Sequence, residues 1–346
     1  MKVVVVGATG NAGTSLLDAL ARDDEVGAVI GIARRRPTVE FAKAAFVSAD
    51  VAHDDLTPHF RGADVVVHLA WLIQPARDLE QLRRVNVAGS ERVFRAAAEA
   101  RVPAIVYASS VGAYSPGPKD RTVDESWPTD GIRTSYYSRQ KADVERILDR
   151  FESEHPDVRI VRIRPALIFK RESASEQRRL FAGPLFPPFL AKRIPVVPNT
   201  PRLRFQAVHS YDIGEAYRLA VRGDARGAFN VAADPILDPD TLARIVGAPK
   251  VRVPTAVLRS GAQLTYTLHL QPSDVGWVDM ALQTPLLDSS RARAELGWEP
   301  QRSAEDAVRD LLEGLAGDTG LHTPPLGRKS RGEELAGGVG EREGGV

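Results

Sequence analysis

The chain has 346 residues, 43% hydrophobic and 26% charged, and its 46 Lys+Arg against 45 Asp+Glu leave a formal net charge of +1. So even a balance gives no global field toward nucleic acid or an anionic membrane, and the lack of cysteine excludes disulfides, thiolate nucleophiles and zinc–thiolate sites. No apolar run approaches the roughly 20 residues that span a bilayer, and Val3–Val6 is too short for a signal-peptide core; the expected location is the cytoplasm.

Val3–Val6 reads as a buried strand. Gly7-Ala8-Thr9-Gly10-Asn11-Ala12-Gly13 follows it and opens a helix near Ala12–Arg22. Glycines here permit a tight turn, a close backbone approach to a pyrophosphate and close helix–strand packing. The helix N-terminus then offers free N–H groups and a positive dipole end to phosphates. A second strand, Ala28–Ala33, ends about where an acid would hold the ribose 2′-OH of NAD, but the residues are Ala33, Arg34, Arg35 and Arg36. Guanidinium groups pair with a 2′-phosphate, so the expected cofactor is NADP, with NAD as the alternative.

Strands follow at Phe46–Ser48, Val65–Leu69, Ala104–Ala108 and Val158–Ile163, with helices near Leu79–Ala100 and Arg133–Glu154. This β-α-β order implies a parallel sheet covered by helices on both faces. After Pro165 the order breaks. Pro184, Pro187, Pro188, Pro195, Pro198 and Pro201 forbid long regular elements between 170 and 205. The run Phe181–Leu190 reads as a surface crossing or an apolar pocket wall.

The fold expectation is a Rossmann-type doubly wound α/β sheet with a smaller, mostly helical C-terminal substrate lobe. The dinucleotide domain takes residues 1–165, and strands near 205–209 and 229–231 return to it. Residues 166–204 and 232–312 form the lobe. Residues 317–346, rich in Gly, Pro and charge, read as a disordered tail.

Tyr137 and Lys141 stand four apart in a helical pattern and so share a face. An ammonium beside a phenol favours the phenolate and makes it a usable general acid/base. Ser110 can hydrogen-bond a substrate oxygen. Tyr136 has the wrong spacing, and His53 and His59 lack metal-ligand spacing, so no metal is expected.

The chain resembles the extended short-chain dehydrogenases/reductases, also called the NAD-dependent epimerase/dehydratase family, over about residues 1–312. The family's glycine motif is matched by Gly7, Gly10 and Gly13, and its adenine-side acid by Asp50-Val51. His68-Leu69-Ala70, Asn86-Val87-Ala88-Gly89, Ser109-Ser110 with Tyr114, and Tyr137 with Lys141 follow in the family's order. Arg164-Pro165, Val208-His209 with Asp212, Phe229-Asn230-Val231 and Leu296-Gly297-Trp298-Glu299-Pro300 continue it.

The resemblance implies Leu69 and Ala70 beside the cofactor, Lys141 and Tyr137 at its nicotinamide ribose, and Asn86 supporting Lys141. It implies a homodimer through the helices holding Asn86 and Tyr137, and a small-molecule substrate. Two departures stand out. Sugar-nucleotide members usually carry an Asn just after the Arg-Pro pair, where this chain has Ala166-Leu167-Ile168-Phe169. They also tend to place an Arg four residues before the matched His209, where this chain has Phe205. Both shift the expectation from a nucleotide-sugar epimerase or dehydratase toward an NAD(P)-dependent carbonyl/alcohol oxidoreductase. A regulatory module that binds dinucleotide without catalysis is disfavoured by the intact Ser110, Tyr137 and Lys141.

Overall fold

The N-terminal valine run sits inside a parallel sheet. A computed structural model describes every residue except 75, 184–185, 187–192, 330, 337 and 340–346. Its first part runs β1 (Lys2–Val6), α1 (Asn11–Ala21), β2 (Ala28–Ala33), β3 (Ala44–Ser48), α2 (Thr57–Phe60), β4 (Val65–His68), α3 (Leu79–Arg83), α4 (Gly89–Glu99), β5 (Ala104–Ala108), β6 (Thr122–Val123), α5 (Tyr136–Glu154) and β7 (Arg159–Pro165). The remainder runs β8 (Leu167–Phe169), α6 (Ala174–Gln177), β9 (Val197–Asn199), β10 (Phe205–His209), α7 (Ser210–Arg222), β11 (Gly227–Val231) and β12 (Ala233–Leu237). It ends with α8 (Pro239–Val246), β13 (Lys250–Arg252), α9 (Thr255–Thr267), α10 (Val275–Gln283), β14 (Leu286–Leu287), α11 (Ser290–Leu296), α12 (Ala304–Ala316) and α13 (Arg331–Ala336).

Seven strands form one sheet in the order β11-β7-β5-β4-β1-β2-β3, and every pair in it is parallel. This is a doubly wound sheet of Rossmann type. Successive valines of β1 serve opposite faces. Val3 and Val5 pack with Leu16, Tyr217 and Trp298, while Val4 and Val6 pack with Phe94 and Leu148. A strand buried on both faces has to be apolar throughout, which is why it carries no alternation. The fully buried Trp298 donates from its indole nitrogen to the Asp212 carbonyl at 2.8 Å, fastening the C-terminal helices to α7.

The strand 205–209 does not return to this sheet. β10 instead lies between β8 and β12 in a separate three-stranded sheet. β8 begins right after Pro165, and β10 pairs with it in parallel, His209 opposite Phe169. The apolar side chains of β10 are used against α12, where Ala207 joins Ala304, Ala307 and Val308. The strand at 229–231 lies in the main sheet as β11, its Phe229 opposite Ile163.

The tail expectation is also corrected. Beyond α12 the chain crosses back over the body, with Leu326 fully buried and Thr323 nearly so. The Arg178 guanidinium pairs with the Glu334 carboxylate at 2.6 and 2.9 Å, both side chains only 4% exposed. Composition misleads here because this segment needs no core of its own. A few side chains and several backbone carbonyls dock onto surface that the rest of the fold supplies. Among the described residues, no helix is long and apolar enough to cross a membrane.

Candidate active site

The glycine turn is shaped by contacts that only hydrogen side chains allow. Gly7 has φ +86°, and a Cβ there would lie 2.5 Å from the Ala70 nitrogen. A Cβ on Gly13 would lie 2.5 Å from the Gly7 carbonyl oxygen. Gly10, the N-cap of α1, meets nothing closer than 3.7 Å and borders open space. The result is a cradle at a helix N-terminus that fits the diphosphate of a dinucleotide.

The cradle opens into a cleft of about 220 Å³. Of the residues expected at a cofactor, Gly7, Thr9, Gly10, Ala33, Arg34, Arg35, Asp50, Val51, Leu69 and Ala70 line it. Asn11, Ala12, Gly13, Tyr137 and Lys141 are not among its walls: Asn11 donates its amide to the Ile168 carbonyl at 3.1 Å and so ties α1 to β8. Asp50 stands at the end of β3, one carboxylate oxygen accepting from the Ala52 amide at 2.8 Å. The opposite bank adds Gln74, Glu176, Arg179, Pro324 and Pro325, none of which sequence reasoning had assigned.

The last two belong to a strap across the cleft. Thr38 donates to the His322 carbonyl from the bank of β2 and β3. Arg179 donates to the Pro325 and Gly327 carbonyls from the other bank. Burial, opposed by Arg179 and Lys170, pushes the Glu176 carboxyl up to about 7.

Beyond Trp71 lie Ser110, Tyr137 and Lys141. The α5 helix is seated by its own first turn: the Ser135 hydroxyl caps the Ser138 amide, and Ser138 accepts from the Ile132 amide at 2.6 Å and donates to the Gly112 carbonyl. This fixes Tyr137 against the loop after β5, where Ser110 lies beside its phenol. Ser110 also accepts from the Gly112 amide at 2.9 Å.

Lys141, one turn along α5, donates to the Ala108 carbonyl at 2.7 Å and lies 3.5 Å from the centre of the Trp71 ring. Its ammonium is 5.9 Å from the centre of the Tyr137 ring. The expected lowering of the phenol is therefore not found. Burial pushes Tyr137 up to about 12, opposed by Ser110. Burial likewise holds Lys141 well below its usual value, opposed by Glu145.

Asn86 does not touch Lys141. It lies in a π-helical turn, Arg84–Ala88, between α3 and α4, the kind of irregularity that recurs at functional sites. Its side chain accepts from the Leu72 amide at 2.7 Å and donates to the Leu72 carbonyl at 2.8 Å and to Gln140 at 2.9 Å. It thus locks the loop carrying Trp71 to the residue beside Lys141. His68 bonds Ser90 at 2.9 Å, and burial, then Lys141, pulls its imidazole down to about 3, so it is a neutral packing residue. Tyr136 points away, donating to the Ile73 carbonyl at 2.8 Å.

Glu145 was missed, although it continues the 137–141–145 face of α5. Its carboxylate takes Ser109 at 2.5 Å, Arg164 at 2.8 and 2.9 Å and Arg162 at 3.1 Å. Burial opposes ionisation, but Arg164, Arg162 and Ser109 outweigh it and hold the group at about 2. The loop bearing Ser110 is thereby pinned to α5. Trp71 and Trp277 were missed as well. Their rings stand 5.8 and 5.0 Å from that of Tyr137, and Phe181 meets Trp277 edge-on at 4.9 Å.

Residues 3–232 match the family described as NAD dependent epimerase/dehydratase. The chain belongs to this family. An uncharacterized protein of Mycobacterium tuberculosis is 29% identical over 328 residues, 93% of this chain; the chain spans only 31% of that relative's length. A 4-hydroxy-2-methyl-3-oxo-4-farnesyl-3,4-dihydroquinoline-1-oxide ketoreductase of Stigmatella aurantiaca is 29% identical over 171 residues, 49% of this chain and 51% of the relative. Among solved structures, UDP-glucuronic acid 4-epimerase of Bacillus cereus, in complex with UDP-glucuronic acid and NAD, superposes with a TM-score of 0.67. It is 17% identical, covering 92% of this chain and 99% of that one, a likeness of fold.

Proposed function

We propose that this chain is an NAD(P)-dependent oxidoreductase that interconverts a carbonyl and an alcohol on a small molecule. The observation that carries the reading is the placement of Tyr137 beside Ser110 beyond the dinucleotide cleft, with Lys141 one helical turn away. The cradle Gly7–Gly10, Asp50 and Val51 at the adenosine side, and Leu69 and Ala70 would hold the dinucleotide, with Lys141 and Tyr137 at the nicotinamide ribose. Bound there, the nicotinamide gives or takes the hydride. Ser110 holds the substrate oxygen, and Tyr137 donates the proton to it in reduction or removes it in oxidation. A phenol held up at about 12 rests protonated, the form the donor role starts from, and Lys141, which would hold the ribose, would favour loss of that proton as a cation one turn along α5.

NADP is the preferred form in this reading, because Arg34 and Arg35 border the cleft where an acid would repel a 2′-phosphate. NADPH should bind more tightly than NADH in fluorescence titrations, and replacing both arginines by Ala should narrow the gap. A homodimer through α4 and α5 belongs to the same reading and is checked by sedimentation.

The second reading, a nucleotide-sugar epimerase or dehydratase, draws on the Bacillus cereus neighbour. Against it, the place of a diphosphate-gripping Arg is taken by Phe205, which packs on the small apolar cluster of β10 and α12. The adjacent Arg204 donates to the Lys119 carbonyl at 2.5 Å. The deciding experiment follows nicotinamide absorbance on panels of ketones and aldehydes, and product formation by chromatography on nucleotide sugars, with Tyr137→Phe beside the parent enzyme. Retention of most activity by that variant would remove the catalytic assignment.

A further inference from the structure

The surroundings of Tyr137 also constrain its substrate, granted the reading of Tyr137 as the proton donor. Its ring is flanked by Trp277 at 5.0 Å and 38° and by Trp71 at 5.8 Å and 72°. Phe181 and Tyr136 stand edge-on to Trp277 at 4.9 and 6.3 Å. Gly112 packs directly on another edge of the ring: a Cβ there would lie 2.8 Å from Tyr137 and 3.1 Å from the Met280 sulfur. Two tryptophans therefore flank the phenol, and Phe181 and Tyr136 pack behind one of them.

The charges nearby do not suit an anion. The cations on this side, Lys119, Lys141, Arg202 and Arg204, all donate to backbone carbonyls. An acidic group also lies beside the aromatic cluster. Asp274, at the start of α10, acts electrostatically on Tyr136, and one of its carboxylate oxygens is buried without a hydrogen-bond partner. A diphosphate or carboxylate entering here would lose its water and meet like charge. A flat apolar molecule would gain ring contacts in the offset and edge-on arrangements that aromatic groups favour.

We infer that the substrate is a neutral, planar, largely apolar ketone of the aryl or polycyclic class, held against Trp71 and Trp277 with its carbonyl at Tyr137 and Ser110. In the reduction the nicotinamide hydride bonds to the carbonyl carbon, the phenol proton passes to the oxygen, and the dinucleotide leaves oxidised.

The test measures NADPH and NADH oxidation by the full chain with 2-tetralone, a flat bicyclic ketone, and with glyceraldehyde, a small polar aldehyde. UDP-glucose is assayed beside them with NAD. The expected result is a kcat/KM for 2-tetralone at least tenfold above that for glyceraldehyde, and no turnover of UDP-glucose. Trp277→Ala should lower that preference at least tenfold, mainly through KM, and Trp277→Phe should restore most of it.

Preference for glyceraldehyde or UDP-glucose, or an unchanged preference in Trp277→Ala, overturns the substrate class. If Tyr137→Phe still abolishes that activity, the catalytic reading survives the failure. Absence of 2-tetralone turnover also overturns the class. If carbonyl turnover persists in Tyr137→Phe, the catalytic reading fails and takes this inference with it.

Discussion

The two ends of the cleft are built on different principles. The diphosphate end is local: β1, the turn and α1 are contiguous, and its shape follows from hydrogen side chains at Gly7 and Gly13. The Tyr137 end is assembled from residues 71, 110, 137, 181 and 277, brought together by the sheet, α5 and the C-terminal helices. A local device is governed by backbone sterics. An assembled one is governed by packing and burial, which is why its phenol and ammonium sit far from their solution values.

The largest effect should come from the assembled end. Tyr137→Phe keeps the ring but removes the proton relay, so kcat should fall about 10²–10⁴-fold with dinucleotide affinity nearly intact. Tyr136→Phe, the neighbour that bonds Ile73, should cost only about 1 kcal/mol of stability and little rate. Equal losses in the two variants would erase the distinction between them.

The strap across the cleft ranks next. Glu334→Ala strands the buried Arg178 and should cost about 3 kcal/mol in chemical denaturation. Truncation after Ala316 should lower the melting temperature and weaken dinucleotide binding together, because Pro324 and Pro325 form part of the cleft wall. A truncated chain matching the full one in both respects would show that this segment is dispensable.

At the local end, Gly13→Ala drives a Cβ into backbone and should cost about 1–3 kcal/mol. Gly10→Ala meets nothing closer than 3.7 Å and should cost less than about 1 kcal/mol, an N-cap preference only. Similar losses at both positions would mean that the turn is not set by these close approaches.

The smallest effect is on pH dependence. Glu176 lines the cleft with a carboxyl pushed up to about 7, so it is neutral below that pH and anionic above it. The affinity for a phosphate-bearing dinucleotide should therefore rise several-fold as pH falls from about 8 to about 6, around the shifted pKa. Glu176→Gln should flatten that slope. The raised pKa also means that this group favours the fold below its ordinary value of 4.5, an advantage lost as pH rises toward about 7. An unchanged slope in Glu176→Gln would place the titrating group elsewhere.

Contiguous signals were readable from the sequence: the valine strand, the glycine turn, the parallel β-α order and the four-residue step from Tyr137 to Lys141. Each depends on backbone geometry over a few residues, which the order of side chains dictates directly. The run 205–209 was misplaced because its apolar pattern suits either sheet, and only β8 beside it determines which one it joins. The tail was misjudged because its docking uses Leu326 and backbone carbonyls taken up by Arg179, a partner almost 150 residues away. Asn86 was found, but its contacts to Leu72 and Gln140 were not, and Glu145, Trp71 and Trp277 carry no motif at all. What a side chain touches across the fold, and how far burial moves its pKa, depends on long-range packing that no short stretch of sequence encodes.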